Sequence, residues 1–367
     1  MILTYKYRLK DRAAAKLLRA HAIAANQVWN WCVAQQRDVE RRYRAGEKPR
    51  RWASHFDLAK QCKGTGKDLG IHQQSVQGIC EQFTGSRDKL HHAPRFRASF
   101  GAKRALGWLP FQQQSRQVDG NSIIYLGKRY RWFGNKRRPL PETAKGGCFV
   151  EDARGRWYVC FHVEVENRPT GNGEVGIDLG LKTMATLSNG ETVETMAYYR
   201  RWQTKLSRAQ RSGSKRRVRA IHARIANARR DHLHKASCRM ARENALIAVG
   251  NVSSSQLAKT RMAKSVLDAG WSMFRNQLRY KASRHGAVYL DIDERFTTQT
   301  CFSCGALPPE RPRGIAGLGI RVWVCSDCGA SHDRDVNAAR NILKLGRSAA
   351  PRVDESLRGT RSCGRGR

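Results

Sequence analysis

This sequence predicts a multidomain chain of the α+β class, and three observations carry that expectation. The hydrophobic period changes along the chain: long amphipathic stretches give way near Pro94 to short alternating segments, and past residue 173 strands and helices alternate. A turn-rich segment, NRPTGNG from Asn167 to Gly173, separates the β-rich stretch from the mixed C-terminal half and marks the main boundary. Two CxxC pairs close to the C-terminal end point to a small subdomain organised by a metal. A length of 367 residues suits two or three domains, each with its own core.

Ile2 to Arg8 alternates as a short strand, and a long helix is expected from Asp11, as N-cap, to the stop at Gly46 and Pro49. Its apolar face runs through Leu18, Ala22, Ala25, Trp29 and Val33. Residues 52 to 93 predict two further helices, broken at GTGKDLG, with Trp29, Trp31, Trp52 and Phe56 in the core of this bundle. Beyond Pro94, SIIYLG, YRWFG and GGCFVEDARGRWYVCFHVEVE predict a small barrel or sandwich. After the linker, EVGIDLGLKTMATLSNGETVE reads as a strand, a tight turn and a second strand, and residues 198–242 as one or two long helices. ALIAVGNV is a buried strand, LDAGWSMFRNQLRYKASRHG an amphipathic helix ended by Gly286, AVYLDID another strand, and SHDRDVNAARNILKLG an acid-led helix. Strand, hairpin, helix, strand, helix, strand, helix is the order of an RNase H-like mixed sheet. From Gly346 the Arg/Ser/Gly-rich tail is expected to be disordered.

Charge narrows the function classes. Lys and Arg total 69 against 30 acids, a formal net charge of +39. Such a chain repels itself unless a polyanion neutralises it. The excess is spread along the sequence, as in a protein that grips nucleic acid over much of its surface. A ribosomal-type packaging protein would share that property, so motifs must separate the two. Hydrophobic residues at 40% and nine Trp exclude a disordered basic tail protein. No stretch is apolar and long enough to span a membrane, and MILTYKYRLK lacks the apolar core of a signal peptide; a cytoplasmic protein is expected. Residues 198–242 hold 15 Lys/Arg and one acid, Asp231, and predict a phosphate-contacting arm with Lys205, Arg208, Lys215, Arg216 and Arg217 as candidates. Arg50 and Arg51 are candidates in the helical bundle.

Eleven cysteines include seven scattered ones (Cys32, Cys62, Cys80, Cys148, Cys160, Cys238 and Cys363), which read as reduced thiols. The other four form CFSCG (Cys301, Cys304) and CSDCG (Cys325, Cys328), with 20 residues between the pairs. Each knuckle turns two thiolates towards one ion, and two knuckles make a tetrahedral, structural Zn²⁺ site.

The acids matter most because they are scarce. Asp178 lies within the apolar strand VGIDLGL, where a carboxylate is costly unless it binds a cation or pairs with Arg. Asp333 and Asp335 lead the last helix, and one of them caps it. Two such carboxylates and a third could hold two Mg²⁺ for in-line phosphodiester attack.

These motifs together resemble the TnpB family of bacterial and archaeal transposons, RNA-guided nucleases related to the type V CRISPR nucleases. The resemblance runs from about residue 2 to 345 and is strongest in GIDLGLKTMATLSNG, SVLDAGWSMFRNQLRYKA, and TTQTCFSCG through CSDCGASHDRDVNAARNIL. It implies a wedge-like β-barrel (1–10 and 94–170) interrupted by a helical recognition bundle (11–93). A RuvC-type, RNase H-like domain (171–345) with a zinc ribbon (296–332) would come next, then a basic tail (346–367). It implies an endonuclease that holds one guide RNA from the transposon end per protein and cuts matched double-stranded DNA beside a short motif, in the nucleoid of a bacterium or archaeon. Asp178 matches the family's first catalytic acid and Asp335 its last; Arg334 or Arg340 would stabilise the scissile phosphate.

The middle acid departs from the pattern, because Gly250 and Asn251 stand where the family has Glu followed by Asp. Either the protein is a nuclease-inactive RNA-guided repressor or roadblock, or another carboxylate completes the site. AVYLDID should lie beside LIAVG, about 4.8 Å away, so an acid just past its end reaches the same metals. Glu294, 44 residues downstream of Gly250, sits there, with Asp291 and Asp293 as rivals and an ion pair with Arg295 as the plain alternative. A transposase that moves the element itself would need a nucleophilic Tyr motif with paired His; the lone His232 and His234 lie in the basic arm.

Overall fold

In a computed structural model, residues 1–11, 13–47, 51–134, 139–168, 171–252, 263–312 and 316–350 are described. They divide into two units, Met1–Val165 and Glu166 onward.

The first unit is built on one open sheet. Strand β1 (Ile2–Arg8) pairs antiparallel with β7 (Trp157–Glu164), β7 with β6 (Ala144–Glu151), and β6 with β2 (Trp108–Phe111). A second, three-stranded sheet of β3 (Gln117–Asp119), β4 (Ser122–Tyr125) and β5 (Lys128–Arg131) joins it through a bridge between Leu9 and Trp132. Phe149, Phe161, Tyr125, Tyr130 and Trp132 fill the shared core, each at most 1% exposed. Burial of rings of this size supplies about 1.5–3 kcal/mol each.

Four helices complete the unit: α1 (Ala14–Arg44), α2 (His55–Gln61), α3 (Thr65–Asp68) and α4 (Gln73–Leu90). The predicted face of α1 is its buried face, and Trp29 meets Phe83 of α4 edge-on with ring centroids 5.6 Å apart. Three local expectations are corrected. Asp11 does not cap α1, which starts at Ala14 without a side-chain cap, because its carboxylate turns to Arg131 at 3.3 Å. The GTGKDLG break holds a short helix, since Gly64 takes φ +90 and restarts the chain. Phe56, expected in the core, is 73% exposed because it lies on the outer face of a seven-residue helix that buries only Leu58.

The second unit is a five-stranded sheet of order β10-β9-β8-β11-β12. Strands β8 (Gly173–Leu179), β9 (Thr183–Leu187) and β10 (Thr192–Glu194) are antiparallel neighbours, while β11 (Asn244–Gly250) and β12 (Val288–Ile292) run parallel to β8. Helices α5 (Tyr198–Arg211) and α6 (Lys215–Glu243) link β10 to β11. Then α7 (Ala263–Ala269) and α8 (Trp271–His285) lead into β12. A small hairpin of β13 (Val322–Val324) and β14 (Ser331–Asp333) precedes α9 (Arg334–Ala349).

Helix α9 lies directly on the sheet. A Cβ at Gly176 would fall 2.0 Å from the Ala339 carbonyl oxygen, and one at Gly346 would fall 2.5 Å from Cβ of Ala248. Missing side chains at these two positions are what let helix and sheet backbones touch. This packing also carries the helix through Gly346 to Ala349, where a disordered tail was expected to begin; residues 351–367 lie outside the described residues. Among the described residues no helix is long and apolar enough to cross a membrane.

Candidate active site and metal centre

Parallel pairing brings the C-terminal ends of β8, β11 and β12 to one edge of the sheet. Asp178 is the penultimate residue of β8, and Gly250 ends β11 opposite Ile292 of β12. The chain then turns, with the Asn251 N–H donating to the Ile292 carbonyl at 2.9 Å, and Glu294 lies two residues past β12. Asp333 caps α9 by accepting from the N–H groups of Asp335 and Val336, which leaves Asp335 in the first turn facing the same edge.

The relation between Gly250 and Glu294 is specific. A Cβ on Gly250 would lie 3.0 Å from Glu294 Oε2 and 3.3 Å from Cδ1 of Ile342. The Glu294 carboxylate therefore occupies the space into which a side chain at position 250 would project.

Electrostatics tie the three acids together. Burial first, then the charges of Asp335 and Glu294, push the Asp178 carboxyl up to about 7, against the opposing pull of Arg334. Burial also raises Glu294, with Asp293 adding to the effect and Arg275 opposing it. A buried carboxylate raised by two neighbouring acids is a group that a divalent cation would stabilise. The three acids stand further apart than the knuckle thiols: among the described residues, only the four cysteines bring three or more ligand atoms within 4.8 Å of one another.

Of the rival acids, Asp291 is paired with two arginines, while Asp293 lies next to Glu294 and raises its carboxyl. Asp291 accepts from Arg275 at 2.7 Å, Arg279 at 2.6 Å and the Tyr289 hydroxyl at 2.7 Å. Asp293 accepts from the Arg295 N–H at 3.2 Å. Glu294 makes no ion pair with Arg295 among the described residues.

The cysteine knuckles are near copies. Gly305 N–H donates to the Cys301 carbonyl and Gly329 N–H to that of Cys325, both at 2.8 Å. Both glycines take positive φ, +82 and +70. Sγ of Cys301 lies 3.7 Å from that of Cys328, and Cys304 lies 3.8 Å from Cys325. Metal–sulfur bonds of about 2.3 Å in a tetrahedron require sulfur–sulfur edges of about 3.8 Å, so the four thiols fit a metal such as zinc.

Three groups escaped the sequence reasoning. His332 is buried, with Nε2 3.0 Å from Cys301 Sγ. Burial pushes that thiol up, but the Cys304 N–H and His332 outweigh it and draw it down to about 6. Asn337 and Asn341 donate to the carbonyls of Thr297 and Thr300, and Asn337 accepts from the Phe302 N–H, locking the first knuckle to α9. Two Asn at an i,i+4 spacing inside the apolar face of a helix were the available signal. Arg321 Nη1 donates to Asp335 at 2.7 Å, a contact no local pattern announces.

The basic candidates are distributed. Arg334 Nη1 donates to the Gly317 carbonyl at 3.1 Å, close enough to act on Asp178. Arg340 is exposed on α9, donates to the Ser188 carbonyl and lies over the Phe302 ring. Lys205, Arg208, Lys215, Arg216 and Arg217 are exposed on α5 and α6, with Lys205 over the Trp202 ring at 5.0 Å. Arg51 is exposed; Arg50 lies outside the described residues.

Comparison with known proteins matches both halves of this arrangement. Residues 158–261 match a family model described as "Probable transposase" (OrfB_IS605), and residues 271–342 match the "Cas12f1-like, TNB domain" model. A Streptomyces pristinaespiralis protein named an RNA-guided DNA endonuclease is 37% identical over 71% of this chain and 71% of its own. The Escherichia coli K12 protein InsQ, named in the same way, is 31% identical over 75% of this chain and 73% of its own. A solved Cas12f1–sgRNA–target DNA complex aligns with 94% of this chain and 99% of that chain at 14% identity and a TM-score of 0.37. The chain belongs to the TnpB/IS605 family of transposon-associated proteins.

Proposed function

We propose that this chain is an RNA-guided DNA endonuclease whose active site is formed by Asp178, Glu294 and Asp335. The observation that carries the proposal is the Glu294 carboxylate standing in the space that Gly250 leaves open, close enough to the buried Asp178 to raise its proton affinity together with Asp335. A repressor that had lost cutting has no use for a replacement carboxylate there.

The strand order of the second unit supports reading residues 171–345 as the RuvC-type, RNase H-like domain and 296–332 as its zinc ribbon. The first unit suits a wedge (1–10 and 94–170) carrying a recognition bundle (11–93). Zn²⁺ would be held by Cys301, Cys304, Cys325 and Cys328. Two Mg²⁺ would be held by the three acids, and when bound they supply charge stabilisation for the attacking and leaving oxygens of an in-line displacement.

This chain's own residues do the rest. Arg334 balances the acids around Asp178 and faces the scissile phosphate, with Arg340 further along α9. The exposed cations of α5 and α6, with Arg50 and Arg51, hold the backbones of a guide RNA from the transposon end and of the target duplex. Base pairing supplies the sequence specificity. One protein acts per RNA, in the cytoplasm or nucleoid of its host.

The test uses the RNA-loaded protein, Mg²⁺ and a matched plasmid with a randomised flank. Cleavage that disappears in Asp178→Ala and Glu294→Ala, with target binding retained, is the expected result. Full cutting by Glu294→Ala refutes the assignment, and binding without cutting in the unaltered protein replaces it with the repressor.

A further inference from the structure

A second concave feature lies in the same unit. A cavity of about 460 Å³ is walled by the β8–β9 turn (Lys182), the start of α5 (Tyr199, Arg200) and α7 (Lys264, Asp268). Its volume falls within the range of roughly 300–1,000 Å³ typical of ligand pockets, more than a bare inorganic ion fills.

Charge distribution sets its preference. Lys182, Arg200 and Lys264 are all exposed, and among the described residues no carboxylate pairs with any of them. The one acid in the wall is already satisfied. Asp268 Oδ1 accepts from Arg229 Nη2 at 2.8 Å, and Oδ2 accepts from the Tyr199 N–H at 2.9 Å. It thereby caps α5 from outside, in place of Ala197, which sits at φ +44 with no capping atom. Three basic residues lining one hollow, with its single acid already paired, favour an anion there.

Position decides which anion. Lys182 is four residues past Asp178 in the chain, so their Cα atoms lie within about 14 Å. Stacked nucleotides advance about 3.4 Å each along a strand, so the hollow is within reach of a phosphate about four nucleotides or fewer from a scissile bond at Asp178.

We propose that this hollow is a backbone-phosphate subsite for the DNA strand being cut, with Lys182 and Arg200 as its main contacts and Lys264 as a third. It rests on the endonuclease reading and adds a register to it: one phosphate, a fixed few nucleotides from the cut, is held while the scissile one meets the acids.

The experiment uses matched targets carrying a single uncharged methylphosphonate linkage at each of the nearest positions on either side of the cut. One position should slow the unaltered, RNA-loaded protein at least tenfold. Lys182→Ala/Arg200→Ala should be slowed by a similar factor on ordinary DNA, and no further by that linkage. A variant that cuts ordinary DNA at the unaltered rate, or that shares every position effect with the unaltered protein, overturns the subsite. Binding of a fluorescein-labelled single strand in Ca²⁺ gives a readout independent of cutting. The slope of log K against log salt should become shallower by about 0.7 per contact removed. An unchanged slope also overturns the proposal. If the unaltered protein cuts nothing, the endonuclease reading fails and the salt slope alone decides the subsite.

Discussion

Gly176→Ala is the sharpest probe of how the acids are held together. The added Cβ would sit 2.0 Å from the Ala339 carbonyl oxygen, 2.7 Å from the Leu343 nitrogen and 2.8 Å from Leu343 Cβ. Two of these are main-chain atoms of α9, so no rotamer change relieves the contact; the helix must lift by about 1 Å. Overpacking against a fixed backbone belongs at the upper end of the usual cost, about 3 kcal/mol. A domain stable by some 5–15 kcal/mol still folds. The catalytic consequence is larger, because Gly176 lies two residues before Asp178 and Ala339 one helical turn after Asp335. Separating β8 from α9 separates the two carboxylates, and an ångström of misplacement costs on the order of 10²-fold in rate. Urea unfolding followed by tryptophan fluorescence reads the first effect, and single-turnover cleavage on matched DNA reads the second. Gly85→Ala is the control: Gly85 lies in α4 with nothing within 4 Å of its added Cβ, and the change should stabilise by about 1 kcal/mol. An unfolding midpoint and cleavage rate unchanged in Gly176→Ala would refute the close-packing argument.

The other predictions are narrower. In a Glu294→Ala background, adding Gly250→Glu should return cutting at least tenfold above the single variant, because the space opposite position 250 is then free; no recovery counts against Glu294 as a relocated ligand. Glu151 has a fully buried side chain paired with Arg104 at 2.7 Å and Arg19 at 2.8 Å. Burial raises its carboxyl, but Arg104, Arg19 and the Gly107 N–H outweigh that and hold it below its ordinary value of 4.5. Its contribution is therefore complete above pH 4.5 and lost as pH falls through the lowered value. Glu151→Gln should cost about 3 kcal/mol near neutral pH and flatten the acid side of the stability curve, measured by urea titration at several pH values; equal acid sensitivity in both proteins refutes it. Metal analysis should find one zinc per chain, and Cys325→Ser should lose it and destabilise the second unit; no zinc in the unaltered protein ends that assignment.

Different parts of the molecule were legible to different degrees. The α1 stripe from Leu18 to Val33 and the strand around Asp178 could be read because a period of 3.6 or 2 is a local property. The knuckles were legible for the same reason: a two-residue gap followed by Gly sets each turn whatever surrounds it. Asp11 and Phe56 were misplaced, since a cap or a core position depends on which distant partner competes for it, here Arg131 for the first and open solvent for the second. His332, Asn337 and Arg321 act across chain separations from 14 to 40 residues, beyond the reach of any local pattern.

By itself, the sequence determined that a basic, multidomain chain carries two sheet-borne or helix-borne acids and four cysteines spaced to hold a metal. Each of those features is encoded by neighbouring residues. Only the tertiary structure shows the Glu294 carboxylate filling the space beside Gly250. It lies there because β12 pairs in parallel with β11 in a register that sets Gly250 opposite Ile292, and because glycine leaves a side chain's volume empty. Register and free volume are properties of packed strands, and no reading of residues 250 and 294 taken separately contains them.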